Sequence, residues 1–224
     1  FLKSFRFNAR VFSIREGTPV FPNEPLLRIQ GSLMECQLME SLVLNHINFQ
    51  TLVATKASRI ATAAASRPIL EFGLRRAHGP DGALSASRAA YIGGSAATSN
   101  TLAGRLYGIP VSGTMAHRWV MSFPGELEAF REYARLYPDR IILLVDTYDT
   151  MGSGLPNAVQ VFKRLGVNKD KGIRGIRIDS GDIATLSVQA RSYLDREGLA
   201  DIQIYVSSDL DEKTIERFTE ASMP

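Results

Sequence analysis

The chain has 224 residues, 45% hydrophobic and 22% charged, which is ordinary for a globular protein of one large domain or one domain and part of another. Its net charge of +3 includes no lysine- or arginine-rich run, so small anionic ligands suit it and there is no case for nucleic acid. A lone cysteine, Cys36, excludes an internal disulfide and fits a reducing, cytoplasmic setting, and no stretch reaches the about 18 apolar residues of a membrane span.

Over 5–14, Phe5, Phe7, Ala9 and Val11 alternate with Arg6, Asn8 and Arg10, the period of two that predicts a half-buried strand. The chain opens at Phe1 inside this pattern, without a methionine, and stops at Pro224, as an excerpt of a longer protein would. Gly17, Pro19, Pro22, Asn23 and Pro25 mark turns before a second short strand over 26–29. Leu38, Leu42, Phe49, Val53, Ala57, Ile60 and Ala64 recur at helical spacing, predicting a long helix over 35–66 that Pro68 ends. His46 lies on or beside that stripe and is expected to be a packed core histidine.

Beyond Pro68 strands and helices alternate. Strands are expected over 69–72, 109–112, 141–145, 173–178 and 202–206. Helices are expected from Asp81 to Gly93 and over 101–106, 124–137, 156–165, 182–194 and 211–221. The strand starts at Ile109, Ile141, Ile173 and Ile202 recur at the roughly 30-residue pitch of a βα unit. The expected fold is therefore α/β: an irregular, incomplete barrel of parallel strands over 67–224, with part of a smaller α/β domain over 1–66.

Polar residues close every strand: Arg75 and Arg76, Thr114 and His117, Asp146 and Asp149, Asp179 and Asp182, then Ser207, Ser208 and Asp209. A barrel collects such residues around one mouth, whereas an open sheet collects them at a single switch point. His117, after Gly113 and Thr114, reads by itself as a hydrogen-bonded structural histidine. Arg177, set between Ile176 and Ile178, is expected to point inward for function, and Arg75, Arg76 and Arg177 offer guanidinium groups suited to carboxylate or phosphate. Asp146, Asp179 and Asp182 suit sugar hydroxyls or Mg²⁺, although Asp182 serves equally well as a helix cap. Three histidines and one cysteine show no metal-ligand spacing. Cations and carboxylates together fit a phosphorylated sugar with a metal-bound diphosphate better than hydride chemistry. The glycine-rich pieces at 79–82 and 93–94 match neither a dinucleotide fingerprint nor a P-loop.

Four segments then occur in order: Glu71-Phe72-Gly73-Leu74-Arg75-Arg76-Ala77-His78-Gly79-Pro80-Asp81-Gly82, Gly113-Thr114-Met115-Ala116-His117, Leu144-Val145-Asp146-Thr147-Tyr148 and Ile176-Arg177-Ile178-Asp179-Ser180-Gly181-Asp182. Together they resemble the nicotinate phosphoribosyltransferases, type II phosphoribosyltransferases, over essentially the whole chain. The resemblance implies an irregular barrel packed against an α/β domain, usually in a homodimer. It implies formation of nicotinate mononucleotide from nicotinate and phosphoribosyl pyrophosphate in NAD salvage, coupled to ATP hydrolysis and assisted by Mg²⁺. His117 matches the histidine that ATP phosphorylates, Thr114 and Arg177 match nicotinate-contacting positions, and Arg75 matches a ligand-binding arginine. Asp146 and Asp179 match acidic residues lining the ribosyl pyrophosphate site.

The family's N-terminal aromatic segment and later phosphate-binding strands have no counterpart here, so the 224-residue chain alone is expected to turn over little. Two rivals stand beside this reading. The nicotinamide enzyme resembles this chain with an aspartate where Asn100 stands; a neutral Asn100 removes the repulsion toward nicotinate's carboxylate. The other rival is an inert, truncated structural protein.

Overall fold

A computed structural model describes residues 3–165, 172–221 and 223–224; the expected strand character at Phe1 lies outside the described residues. The chain forms two compact units, Phe1–Ser112 and Gly113–Pro224. The boundary expected after residue 66 thus falls inside the first unit.

In the first unit, Ser32 and Glu35 open the long helix α1 (Leu33–Ala63) with a reciprocal cap. The Ser32 hydroxyl accepts from the Glu35 N–H, while the Glu35 carboxylate accepts from the Ser32 N–H at 2.9 Å, satisfying amides that the helix cannot. The same carboxylate accepts the Asn8 N–H at 2.6 Å, tying the preceding segment to the helix start. The strand expected over 5–14 shrinks to β1 (Arg10–Ser13), paired antiparallel with β2 (Leu27–Gln30). Val11 and Phe12 stay exposed, because two strands alone make too little sheet to bury a face.

The apolar stripe of α1 is buried only toward its end, at Ala57 and Ala64, whereas Leu38 and Leu42 are exposed. That end packs on α2 (Gly79–Ile92), and the backbones approach so closely that a Cβ on Gly93 would lie 2.4 Å from the Ala54 carbonyl oxygen. His46 precedes this contact. It is exposed, not the core histidine expected, and its ring hydrogen-bonds Gln50 at 2.7 Å.

Two short parallel strands follow, β3 (Leu70–Glu71) and β4 (Ala97–Thr98), and between them Leu74–Arg76 forms a 3₁₀ turn. The strand expected over 109–112 is reduced to a parallel bridge between Val111 and Thr98. The Thr98 N–H donates to Pro110 and the Ser112 N–H to Thr98, each at 3.0 Å; Pro110 itself has no N–H to give. Helix α3 (Thr101–Tyr107) lies between, capped by Asn100.

The second unit holds β5 (Arg140–Leu144), β6 (Ile173–Ile178) and β7 (Gln203–Val206), parallel and in that order. Around them run α4 (His117–Met121), α5 (Glu126–Leu136), α6 (Leu155–Leu165), α7 (Ile183–Arg196) and α8 (Glu212–Glu220). Ile141, Ile142, Leu143, Leu144 and Val145 are all buried, as an apolar run covered on both faces must be. Ile141, Leu143, Leu144 and Val145 join Phe130, Phe162, Ile176, Ile178 and Leu194 in one core. No element is expected between residues 112 and 124, yet α4 forms there and puts His117 at the first position of a helical turn. The α/β class is as expected, with parallel strands in two separate sheets and, among the described residues, no closed barrel.

Between β5 and α6, Thr150–Gly154 forms a π turn opened by Asp149, whose carboxylate accepts the Met151 and Gly152 N–H groups at 3.1 and 2.8 Å. Gly154 then presses on the end of β5: a Cβ there would fall 1.8 Å from the Val145 carbonyl oxygen. Backbone cannot retreat from backbone cheaply, so Gly154→Ala is expected to destabilise by about 1–3 kcal/mol, read as a lower urea midpoint with unchanged slope.

Candidate active site

Register alone brings three polar side chains to one edge. Arg177 of β6 stands opposite Leu144 of β5 and Tyr205 of β7. Two residues further along each strand come Asp146, Asp179 and Ser207, which share that face because strand side chains alternate. The ladder runs just past the strand ends, with the Val145 N–H bonded to the Arg177 carbonyl at 3.1 Å and the Ser207 N–H to the Ile178 carbonyl at 3.0 Å.

Arg177 is the centre of this cluster, its side chain only 14% exposed. Its Nε donates to Ser207 Oγ at 2.7 Å, one terminal nitrogen donates to Thr114 Oγ1 at 2.8 Å, and the other to Asp179 Oδ1 at 2.6 Å. Ser207 closes a ring by donating to the same Asp179 oxygen at 2.5 Å. The other Asp179 oxygen lies 3.4 Å from His117 Nε2, and His117 Nδ1 lies 3.3 Å from Thr147 Oγ1. The Asp179 N–H and the Ser180 hydroxyl both donate to Asp146 Oδ2, at 3.0 and 2.5 Å. Asp146 Oδ1 is buried without a hydrogen-bond partner. A buried carboxylate oxygen left bare is costly unless something else comes to it.

Burial by itself raises the Asp179 carboxyl. The hydrogen bond from Ser207, the charge and hydrogen bond of Arg177 and the contact with His117 outweigh it and hold the group below the ordinary carboxylate value.

Thr114, His117, Asp146, Arg177 and Asp179 thus meet in one cluster of the second unit. Arg75 and Asn100 belong to the first. Arg75 is exposed in the 3₁₀ turn after β3, and Asn100 is a buried cap whose amide donates to Ser87 and accepts from the Ala103 N–H, both at 3.2 Å. Asp182 caps α7, accepting the Thr185 N–H and hydroxyl at 3.2 and 2.7 Å, and Asp149 caps the π turn, so both aspartates serve the backbone. The roles of Thr147 and Ser180 emerge only in three dimensions, as does the clamp that Ser207, already noted past its strand end, places on Arg177, since a single hydroxyl carries no specific chemical signal in sequence.

The profile described as the nicotinate phosphoribosyltransferase (NAPRTase) N-terminal domain matches residues 1–48. A Mycobacterium tuberculosis protein named nicotinate phosphoribosyltransferase pncB2 is 46% identical over 223 residues, covering 100% of this chain and 47% of that protein. A Bacillus subtilis protein named nicotinate phosphoribosyltransferase is 50% identical over 204 residues, 91% of this chain and 41% of its own length. The chain spans about half the length of the curated relatives it matches. Among solved structures, human nicotinic acid phosphoribosyltransferase superposes with a TM-score of 0.81 at 33% identity, covering 96% of this chain and 54% of that one. No helix among the described residues is long and apolar enough to cross a membrane.

Because the folded Asp179 carboxyl is depressed, its stabilising contribution is present above the unfolded value of about 3.9 and is lost as pH falls from there through the folded value. Asp179→Asn is therefore expected to lower the urea midpoint clearly at about pH 6 and by progressively less as pH falls below about 3.9. A gap independent of pH would show that the carboxylate charge plays no part.

Proposed function

Since the chain is related along its whole length to the nicotinate phosphoribosyltransferases, we propose that its strand-end cluster binds nicotinate and phosphoribosyl pyrophosphate in an enzyme that forms nicotinate mononucleotide with coupled ATP hydrolysis. The reading is supported chiefly by one observation: a guanidinium aimed by Thr114, Ser207 and Asp179 stands within two hydrogen bonds of a histidine.

In this reading Arg177 takes the nicotinate carboxylate, a planar anion that matches its paired N–H groups, and so aims the ring nitrogen at the anomeric carbon of the ribose. The ring nitrogen's lone pair forms the new bond to that carbon as the bond to the diphosphate oxygen breaks. Positive charge grows on the sugar meanwhile, and the Asp146 and Asp179 carboxylates lower its energy. His117 accepts the terminal phosphate of ATP on a ring nitrogen, releasing ADP, and the adjacent Asp179 stabilises the positive ring. The phosphate on His117 adds negative charge beside the sugar-diphosphate pocket, so its gain and loss alter affinity there.

Mg²⁺ fits the donor set. The bare oxygen of Asp146 is a hard ligand, and Mg²⁺ commonly binds through one or two carboxylates plus substrate phosphates and water. When bound it offsets charge on the departing diphosphate. In the first unit, the exposed Arg75 offers a guanidinium to an anionic substrate group, Asn100 is neutral where the nicotinamide enzymes resemble this chain with an aspartate, and the protein acts as a homodimer.

In the protein at its natural length, Arg177→Ala is expected to raise the KM for nicotinate about 10- to 100-fold, the loss of a charge-assisted contact. His117→Ala is expected to abolish protein labelling from ATP carrying a labelled terminal phosphate. Preference for nicotinamide over nicotinate would transfer the assignment to the nicotinamide enzymes, and no turnover of either would leave an inert relative.

A further inference from the structure

The first unit contains a second polar network, built on a residue to which the proposed chemistry gives no part. We infer that Glu71 is a positioning residue: its carboxylate sets the turn that carries Arg75 in one place relative to the strand end that carries Asn100. This rests on the reading that Arg75 contacts an anionic substrate.

Glu71 ends β3 and is half-buried. One of its carboxylate oxygens accepts the Gly73 N–H in a short hydrogen bond. The other accepts the Thr98 hydroxyl at 2.6 Å and the Ser87 hydroxyl at 3.1 Å. Thr98 in turn accepts the Asn100 N–H at 3.0 Å, and the Asn100 side-chain amide donates to Ser87 at 3.2 Å, so the circuit returns to its start. Ser87, Thr98 and Asn100 are all buried. Beyond Gly73 the turn closes on itself through the Arg76 N–H and the Gly73 carbonyl at 2.9 Å.

A Cβ at residue 73 would lie 2.9 Å from the Glu71 oxygen that grips it, so the carboxylate would have to shift slightly to admit a side chain there. A satisfied buried network of this kind stabilises a fold no better than apolar packing does, but it specifies one geometry sharply. What that geometry holds is the base of a three-residue turn whose middle residue, Arg75, is exposed. A guanidinium on an unanchored turn would have to be ordered anew at each binding event.

The test is a double-substitution cycle in the protein at its natural length, measuring kcat and KM for nicotinate and for phosphoribosyl pyrophosphate. Glu71→Ala is expected to raise about tenfold whichever KM Arg75→Ala raises, the effect of one charge-assisted hydrogen bond, with kcat changed by less than about twofold. The double variant should bind no worse than Arg75→Ala alone, because a group that acts through Arg75 then has nothing left to position. Glu71→Gln keeps an oxygen for the Gly73 N–H and should return KM to within about threefold of wild type. An unchanged KM in Glu71→Ala, or a double variant that multiplies the two factors, overturns the inference. If the wild type makes no nicotinate mononucleotide, the proposed function falls and amide exchange decides for Glu71. Exchange at Gly73 at least about tenfold faster in Glu71→Ala supports the anchor, and equal exchange in the two proteins overturns it.

Discussion

Everything in the second unit turns on the ion pair between Arg177 and Asp179. A guanidinium one residue before the end of β6, little exposed, has lost most of its water and must recover the loss within the protein. It does so with a carboxylate two residues further along the same strand, on the same face, and with hydroxyls from segments on either side. Removing one member of such a pair typically costs about 3–5 kcal/mol, because the survivor is left buried and charged. The pair therefore constrains its surroundings: β7 must end in a hydroxyl at Ser207, and the segment before α4 must offer Thr114.

The same pair explains how a histidine on a short helix becomes part of the cluster. Asp179 uses one oxygen for Arg177 and Ser207 and turns the other toward His117. His117, Asp179 and Arg177 thus form one electrostatic chain, in which a change of charge on the ring is felt at the guanidinium through a single carboxylate. Asp146 lies beside the chain with one oxygen engaged by Asp179 and Ser180 and one bare. That bare hard oxygen is the observation on which the proposed Mg²⁺ rests.

The two units solve similar problems by similar means. In each, parallel strands end in a carboxylate that gathers hydroxyls and backbone amides: Asp179 in the second unit, Glu71 in the first. Strand ends suit this task because the ladder stops there, leaving amide groups available, while the buried strands behind keep the backbone from moving. The long helix α1 is a different case. Its cap is complete and its later half packs closely on α2, whereas its early half and the β1–β2 ribbon keep apolar side chains exposed.

The parallel α/β class, the strands of the second unit, Asp146 and Asp179 past strand ends and Arg177 inside an apolar strand were legible in the order of residues, whereas Thr114 and His117 follow a strand that is reduced to a single bridge. Each depends on periodicity or on polarity breaking an apolar run, and both are local properties of a chain. The sequence alone misplaced His46 in a core, read 5–14 as one strand, and left Asp182 equally suited to a ligand or to a helix cap, of which the structure shows the cap. Whether an apolar stripe finds a partner, and whether a carboxylate faces a ligand or its own backbone, depends on residues distant in the chain. Tertiary structure alone decided that Ser207 clamps Arg177 and that Glu71 grips Gly73. A hydroxyl or a carboxylate is chemically generic until register and packing bring a specific donor or acceptor within hydrogen-bonding distance.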